Sequence, residues 1–553
     1  MLMILLFAVP CWGATETFYV CHGGDGTLPE TSTCATAYDE ADFNTAGNWD
    51  TDDQDDGKIG PNDDVIFLDD GGNFTTDFVV QQSGLSGKPI TLKAGTGEIP
   101  VIDGTASCLS GTGKDYITVD GLELYTGNFG IVLVTCDRWI VQNCIFNAST
   151  FIGVYMDCGT HTARNNTFKG LGNTSISASS DDDTSNILTL TIYSNMILNP
   201  SIGIYLEGES VGFPVLNCLV YNNTIVSPST FGITLKGHHD GTILKNNIIS
   251  DPGGYTLNVE ANAQTNFVAD YNCYYDSAGQ KWKWGADADD TTIADWRTAT
   301  GDEANSITSD PKFVSATDFH LLVSSPCIDA GADLTATVLT DIDGQDADHA
   351  NMDGDADGSS LDMDIGADQV LFLSVLTGGI TSSCVPIDGE DGNVAGLAMS
   401  GDNTLNDYTI VRCKRGALRV NTNDTIYNFA VDDEAYIITG VTLTATNCAF
   451  QEAEAVVAVD GTITDTDCLF SVADFGFVDK PNGDFHLLTS SILRNVGYDT
   501  TPCADPDGIT ISGGVARDIG AYVYQDREGC GPDSVGMDLL GTRNDDLSNK
   551  ILH

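Results

Sequence analysis

The chain has 553 residues, with 23 Lys and Arg against 80 Asp and Glu and a formal net charge of -57. That imbalance repels nucleic-acid phosphates and anionic membrane surfaces, so neither nucleic acid nor an inserted membrane is an expected partner. The length exceeds what one ordinary core supports, which leaves several domains or a repeat that grows in one dimension.

In chain order, Leu2–Val9 is a short apolar run followed by Pro10, Gly13 and Ala14, which reads as a signal peptide over 1–14 and predicts a secreted or cell-surface protein. Residues 15–62 form a loop-rich N-terminal segment in which Cys21 and Cys34 are the expected disulfide. Several other cysteines recur in one setting, as in Asn143-Cys144, Asn217-Cys218, Asn272-Cys273, Asn447-Cys448 and Asp467-Cys468. Such a recurrence predicts small buried hydrophobes in a stack, and with no CxxC pair it opposes a thiolate metal centre.

From residue 63 the chain repeats itself. Asn143, Asn165, Asn195, Asn222, Asn246 and Asn272 each open a short apolar segment, at intervals by subtraction of 22, 30, 27, 24 and 26 residues. A turn repeated in every coil explains Asn, whose side chain bonds its own backbone and tolerates left-handed dihedrals. Between these turns runs Gly-apolar-x-apolar-x, as in Gly153-Val154-Tyr155-Met156-Asp157, Gly203-Ile204-Tyr205-Leu206-Glu207 and Gly232-Ile233-Thr234-Leu235-Lys236. Period two places alternate residues inside, and the density of Asn, Gly, Thr and Ile opposes a helical solenoid. The expected fold is all-β, a parallel β-helix with one coil per interval and two ends that need caps.

Three segments carry a family resemblance: Asp64–Leu68 with Gly87–Lys93 and Pro100–Gly104, the Asn repeats, and a closing module. The module comprises Asp310-Pro311-Lys312-Phe313, Asp318-Phe319-His320-Leu321, Ser325–Gly331 and Asp364-Ile365-Gly366-Ala367. On these residues the chain resembles the superfamily of secreted right-handed β-helix proteins built on the pectate lyase-like fold. The module returns at Phe477-Val478-Asp479, Gly483–Leu487 and Asp518–Tyr522, so a main β-helix over 63–371 and a second, smaller one over 372–526 are expected, with a polar tail over 527–553. Members of that superfamily range from lyases to non-enzymatic surface proteins, and the fold alone does not choose among them.

The Gly-apolar strands, aligned by register, place Val132, Tyr155, Ser177, Tyr205, Thr234 and Asn258 in one outward column, and Val134, Asp157, Ser179, Glu207, Lys236 and Glu260 in the next. Aromatic faces pack on sugar rings while carboxylates and amines bind hydroxyls or move protons, so an extracellular polysaccharide is the expected partner. As a lyase, Lys236 would abstract the proton α to a uronate, a cation on Glu207 or Asp157 would neutralise the carboxylate, and His238 or Tyr205 would assist the leaving oxygen. As a hydrolase, Asp157 and Glu207 would be acid and base. Tyr155, Tyr205, His239 and Glu260 are the expected substrate contacts. The competing reading is an adhesin or stalk in which Glu207, Lys236 and Glu260 are only a favourable cross-strand ladder. Calcium-dependent lyases of this fold pair a Lys with an Arg beside an acidic calcium site, and here only Lys236 fills such a place.

Two loops have calcium spacing: Asp353, Asp355 and Asp357 with Asp364 at the twelfth position, and Asp52–Gly57 with Asp63 at the twelfth. His320 and His486 hold equivalent places in the two closing modules, between apolar neighbours that suggest a structural role.

Overall fold

The computed structural model describes residues 15–344 apart from 53–56, 126, 148–151, 158, 181–187 and 324. It also describes 363–370 and, beyond them, the strands between 372 and 487 with a few single positions. Parallel pairing dominates. Three sheets of 12, 9 and 8 strands run side by side, each strand pairing with its equivalent one coil away. The 8-stranded sheet, from Val101–Asp103 to Cys273–Tyr275, counts the coils of a right-handed parallel β-helix. The N-terminal segment is not outside this helix, because Thr17–Val20 pairs with Asp64–Phe67 as the first strand of the 12-stranded sheet.

The tight turn sits at Asn143, Asn165, Ser194, Asn222, Asn246 and Tyr271, all with φ between 48° and 57°. One residue later comes a second column, turned into the interior of the coil: Cys144, Asn166, Asn195, Asn223, Asn247 and Asn272. Each side-chain amide there donates to the next Oδ1, at 3.0 Å from Asn166 to Asn195, 2.9 Å to Asn223, 3.0 Å to Asn247 and 3.1 Å to Asn272. The sequence alignment therefore merged two columns, since Asn195 and Asn272 belong to the ladder while Ser194 and Tyr271 hold their turns. Both ladder ends are satisfied. The Cys144 N–H donates to Asn166 Oδ1 at 3.0 Å, and Asn272 donates from its backbone to Ser306 Oγ at 2.8 Å and from its side chain to buried Glu303.

Glycine in the Gly-apolar motif has a packing cause. A Cβ on Gly153, Gly203 or Gly232 would stand 2.7, 2.7 or 2.6 Å from the core side chain of Phe168, Ile225 or Ile249. These side chains come from the 8-stranded sheet, where the column continues through stacked Phe146 and Phe168, 4.5 Å apart. Both ends of this core are plugged by aromatics. At the start, Phe43 on the short helix Glu40–Phe43 packs edge-on against Trp49 and Phe78 at 5.0 Å each. At the far end, Trp296 on the helix Ile293–Thr300 stacks on Trp282 and meets Trp284 edge-on.

The closing module is consequently not an end cap. It is a strap that runs back along the outside of the turn column. Asn246 exchanges two 2.8 Å hydrogen bonds with the backbone of Ala332, Asn222 donates to Asp364 O at 3.0 Å, Ser194 to Thr340 O at 3.0 Å, and Asn165 to Thr340 Oγ1 at 3.1 Å. Val338 and Met363 of the strap pack on Tyr193 and Tyr221. Cys21 and Cys34 form a disulfide, and Cys108, Cys136, Cys144, Cys218, Cys273, Cys327 and Cys448 are free and buried, but in separate places rather than one stack, Cys144 in the ladder column and Cys273 paired with Ile248. Further on, strands between Phe372 and Val459 again pair in parallel, and Phe477 pairs antiparallel with Leu487 as Phe313 does with Leu321. Among the described residues no helix is long and apolar enough to cross a membrane.

Replacing a ladder amide strands several buried donors and acceptors at once, each worth about 1–3 kcal/mol. Asn223→Ala should therefore lower the unfolding free energy by on the order of 4 kcal/mol or more, whereas Asn143→Ala loses the left-handed preference and one exposed hydrogen bond to Asp120, together about 1–2 kcal/mol. Urea unfolding of both variants checks the contrast, and equal losses would refute the ladder's primacy.

Candidate functional site

The outer face of the 9-stranded sheet carries the candidate residues, and its register is the one the alternation implied. Tyr155 pairs with Val132 and Ser177, Ser177 with Tyr205, Tyr205 with Thr234, and Thr234 with Asn258. In the next column Asp157 pairs with Val134 and Ser179, Ser179 with Glu207, and Glu207 with Lys236. Asp157 and Glu207 thus stand two rungs apart, roughly 10 Å at the usual strand spacing. Between Phe129 and Tyr255 a third outward column is mainly apolar, through Ile152, Ile202 and Phe231.

At the centre of the face three side chains form a chain of hydrogen bonds. Tyr205 donates from its hydroxyl to Glu207 Oε2 at 2.7 Å, and Lys236 Nζ lies 2.6 Å from Glu207 Oε1. Burial alone would raise the Glu207 pKa, but hydrogen bonds from Lys236 and Tyr205 and the lysine charge bring it below the usual glutamate value. The Glu207 contact raises that of Lys236. Burial, with the carboxylate beside it, pushes the Tyr205 phenol up to about 12. At neutral pH the cluster is therefore a carboxylate held between an ammonium and a neutral phenol. An amine must be unprotonated to take a proton, and the Glu207 contact favours the ammonium form of Lys236, so the expected general-base role would require that pair to open first.

Other expected roles change with the structure. Asp157 is buried at 6 % exposure, which removes it from solvent as half of an acid/base pair. Glu260 lies beyond the end of its strand and accepts the Gly237 N–H at 3.1 Å, so the charge ladder is the pair Glu207–Lys236 rather than a triple. His239 is turned into the core at 3 % exposure, its Nε2 within 3.2 Å of Leu206 O and 3.1 Å of Lys236 O and its Nδ1 3.2 Å from Thr242 Oγ1. It is not a substrate contact. His238 precedes it half-buried, with its backbone bonded to Gly208 and Val215. Tyr155 is half-buried with its ring 6.0 Å from Phe129. The strands of this sheet carry Lys236 and Lys283 and, among the described residues, no Arg, while Arg164 lies on the 12-stranded sheet bonded to Gln142 and Tyr193.

Of the calcium loops, Asp353, Asp355 and Asp357 lie outside the described residues. Asp364 is buried and accepts the backbone N–H groups of Asp329 at 2.9 Å and Val370 at 2.6 Å. Asp63 is likewise buried, accepting from Glu16 and Gly60. Both carboxylates are thus held by the backbone of loops they organise, a role that period counting does not distinguish from ligation.

One cluster was missed in the sequence. Tyr255 donates to Asp289 Oδ2 at 3.0 Å, and Lys283 Nζ lies 3.1 Å from Asp289 Oδ1, repeating the tyrosine–carboxylate–lysine arrangement farther along the same face. Lys283 pairs with Asn258, and the alternation of Trp282-Lys283-Trp284 was the available signal.

Residues 107–274 match the family model described as the right handed beta helix region. Among solved structures, an alginate lyase from Paenibacillus sp. str. FPU-7 is 12% identical, with a TM-score of 0.21 over 74% of this chain and 93% of that one. Pectate lyase Pel9A is 11% identical, with a TM-score of 0.25 over 93% of this chain and 98% of that one. XylC in complex with xylose is 10% identical, with a TM-score of 0.36 over 92% and 98%. No curated protein matches the chain.

The His239 environment has a pH consequence. Burial lowers its pKa to about 4, against an ordinary 6.5. Below pH 6.5 the unfolded chain takes the proton and the folded one does not, so stability is full above 6.5 and falls as the pH drops toward 4, by about 3 kcal/mol in all. His239→Gln should flatten that limb of the urea-midpoint profile relative to wild type, and an unchanged slope would contradict a neutral buried imidazole.

Proposed function

We propose that this right-handed parallel β-helix protein works outside the cell and binds an extracellular polysaccharide along the outer face of its 9-stranded sheet. The observation that carries the reading is the pair of tyrosine–carboxylate–lysine clusters, Tyr205–Glu207–Lys236 and Tyr255–Asp289–Lys283, set along one face beside an apolar and aromatic column. A linear polymer needs repeated contacts along an axis, and a solenoid supplies one set of side chains per rung. Rings offer apolar faces to pyranoses, while the paired charges offer both donors and acceptors to hydroxyls. The disulfide Cys21–Cys34 supports an oxidising setting.

Binding without chain cleavage is the form the geometry favours. Lys236 is held protonated by Glu207, at 45 % side-chain exposure for the lysine and 28 % for the glutamate, and Asp157 is withdrawn from solvent. An excess of negative charge also disfavours a polyuronate over a neutral glycan, except where a lysine lies beneath it.

Titration calorimetry against a panel of neutral and uronate polysaccharides tests this. Tyr205→Ala and Tyr255→Ala should each weaken the best ligand by about tenfold or more, in line with the loss of an aromatic platform. An ultraviolet assay for unsaturated products, run with wild type and Lys236→Ala, should stay silent. Absorbance that depends on Lys236 would instead establish a lyase, and absence of any glycan binding would leave a structural stalk.

A further inference from the structure

The strap carries a histidine that the sugar-facing sheet does not use. Asp318 Oδ1 lies 2.5 Å from Nδ1 of His320, and Asp343 Oδ1 lies 3.3 Å from its Nε2. Asp368 completes the group, and one donor atom each from His320, Asp343 and Asp368 lie within 4.8 Å of one another. They arrive on three separate stretches of chain. His320 follows the hairpin start at Phe313, Asp343 sits in the turn after Asp341, and Asp368 follows the close-packed Gly366. Each position is fixed by its own backbone. Asp368 is 1 % exposed and its Oδ2 accepts the Leu321 N–H at 2.8 Å, while the Asp343 N–H donates to Asp341 Oδ1 at 3.0 Å.

We propose that His320, Asp343 and Asp368 bind one divalent first-row transition metal ion, Zn2+ foremost, with Asp318 orienting the imidazole. A carboxylate on Nδ1 fixes the tautomer that leaves the Nε2 lone pair for a metal, the usual support behind a ligating histidine. One imidazole and two carboxylates suit Zn2+ or Mn2+, whereas Ca2+ demands six to eight oxygens. The spacing agrees. Ligand atoms on a tetrahedron with bonds near 2.0–2.1 Å stand about 3.3 Å apart, which is the separation of His320 Nε2 and Asp343 Oδ1. Bound there, the ion would staple the three stretches of the strap that covers the turn column, a structural role away from the sugar-facing sheet. The competing occupant is a proton, which would make His320 an imidazolium bridging Asp318 and Asp343.

Chelator-treated full-length protein, titrated calorimetrically with ZnCl2, MnCl2 and CaCl2 and analysed for bound metal, distinguishes the two. The expected result is one Zn2+ per chain and a rise in melting temperature on its addition. Both should be lost, with affinity down at least tenfold, in His320→Gln and in Asp343→Asn. Asp343 is exposed, so its isosteric change keeps the test open should His320→Gln fail to fold. No saturable Zn2+ or Mn2+ binding by wild type, a response to Ca2+ alone, or Zn2+ binding that survives Asp343→Asn would each overturn the assignment.

Discussion

The structure depends on a row of buried side-chain amides. In a solenoid every coil must return to the same height, and a buried amide that both donates to the next rung and accepts from the previous one is satisfied only when all its neighbours are in register. From Asn195 to Asn272 each rung also ties down the turn beside it, since Asn195, Asn223, Asn247 and Asn272 donate to the carbonyls of Tyr193, Tyr221, Lys245 and Asp270 as well. The ladder ends where its last amide meets Glu303, a buried carboxyl that also accepts from Tyr274 at 2.6 Å and Trp296 at 3.2 Å. Burial raises the Glu303 pKa, and these donors offset the rise.

The turn residues that the ladder pins carry their own side chains outward, and there the strap takes them up. The same column of left-handed residues is thus used twice, to reverse the chain inside each coil and to seat the segment that covers it. Gly331 and Gly366 allow this close approach, because a Cβ would stand 2.9 Å from Asn246 Nδ2 in the first case and 2.6 Å from Ile248 Cδ1 in the second. Three aspartates gathered about His320 lie within the strap, so its electrostatics and its seating on the helix are coupled through a few residues.

On the opposite side of the same register, the rigidity of the core aligns outward columns that no loop could hold so regularly. Glycine at the corner lets Phe168, Ile225 or Ile249 reach across the coil, and the residues after it then alternate strictly in and out. Tyr205, Glu207 and Lys236 meet for that reason. Their mutual hydrogen bonds hold the Glu207 carboxylate between the Lys236 amine and the Tyr205 hydroxyl, and the proposed polysaccharide binding rests on that arrangement.

What the sequence determined by itself was local: strand period, coil length, the glycine corners, the Cys21–Cys34 bridge and the pairing of Tyr155, Ser177, Tyr205 and Thr234 all follow from backbone geometry over a few residues. Its limits were those of short range. Asn195 could not be told from a turn residue, since Ser194 and Tyr271 hold the left-handed turn where other coils use Asn. Asp157 reads as outward by alternation and His239 as a substrate contact, but Asp157 is covered and His239, after the left-handed Gly237, turns into the core. Only the tertiary structure decided that the closing module lies along the side of the helix, that tryptophans plug its end, that Tyr255, Lys283 and Asp289 repeat the central cluster, and that His320, Asp343 and Asp368 converge. Those contacts join residues far apart in the chain, and their geometry is set by packing between coils, which no local pattern encodes.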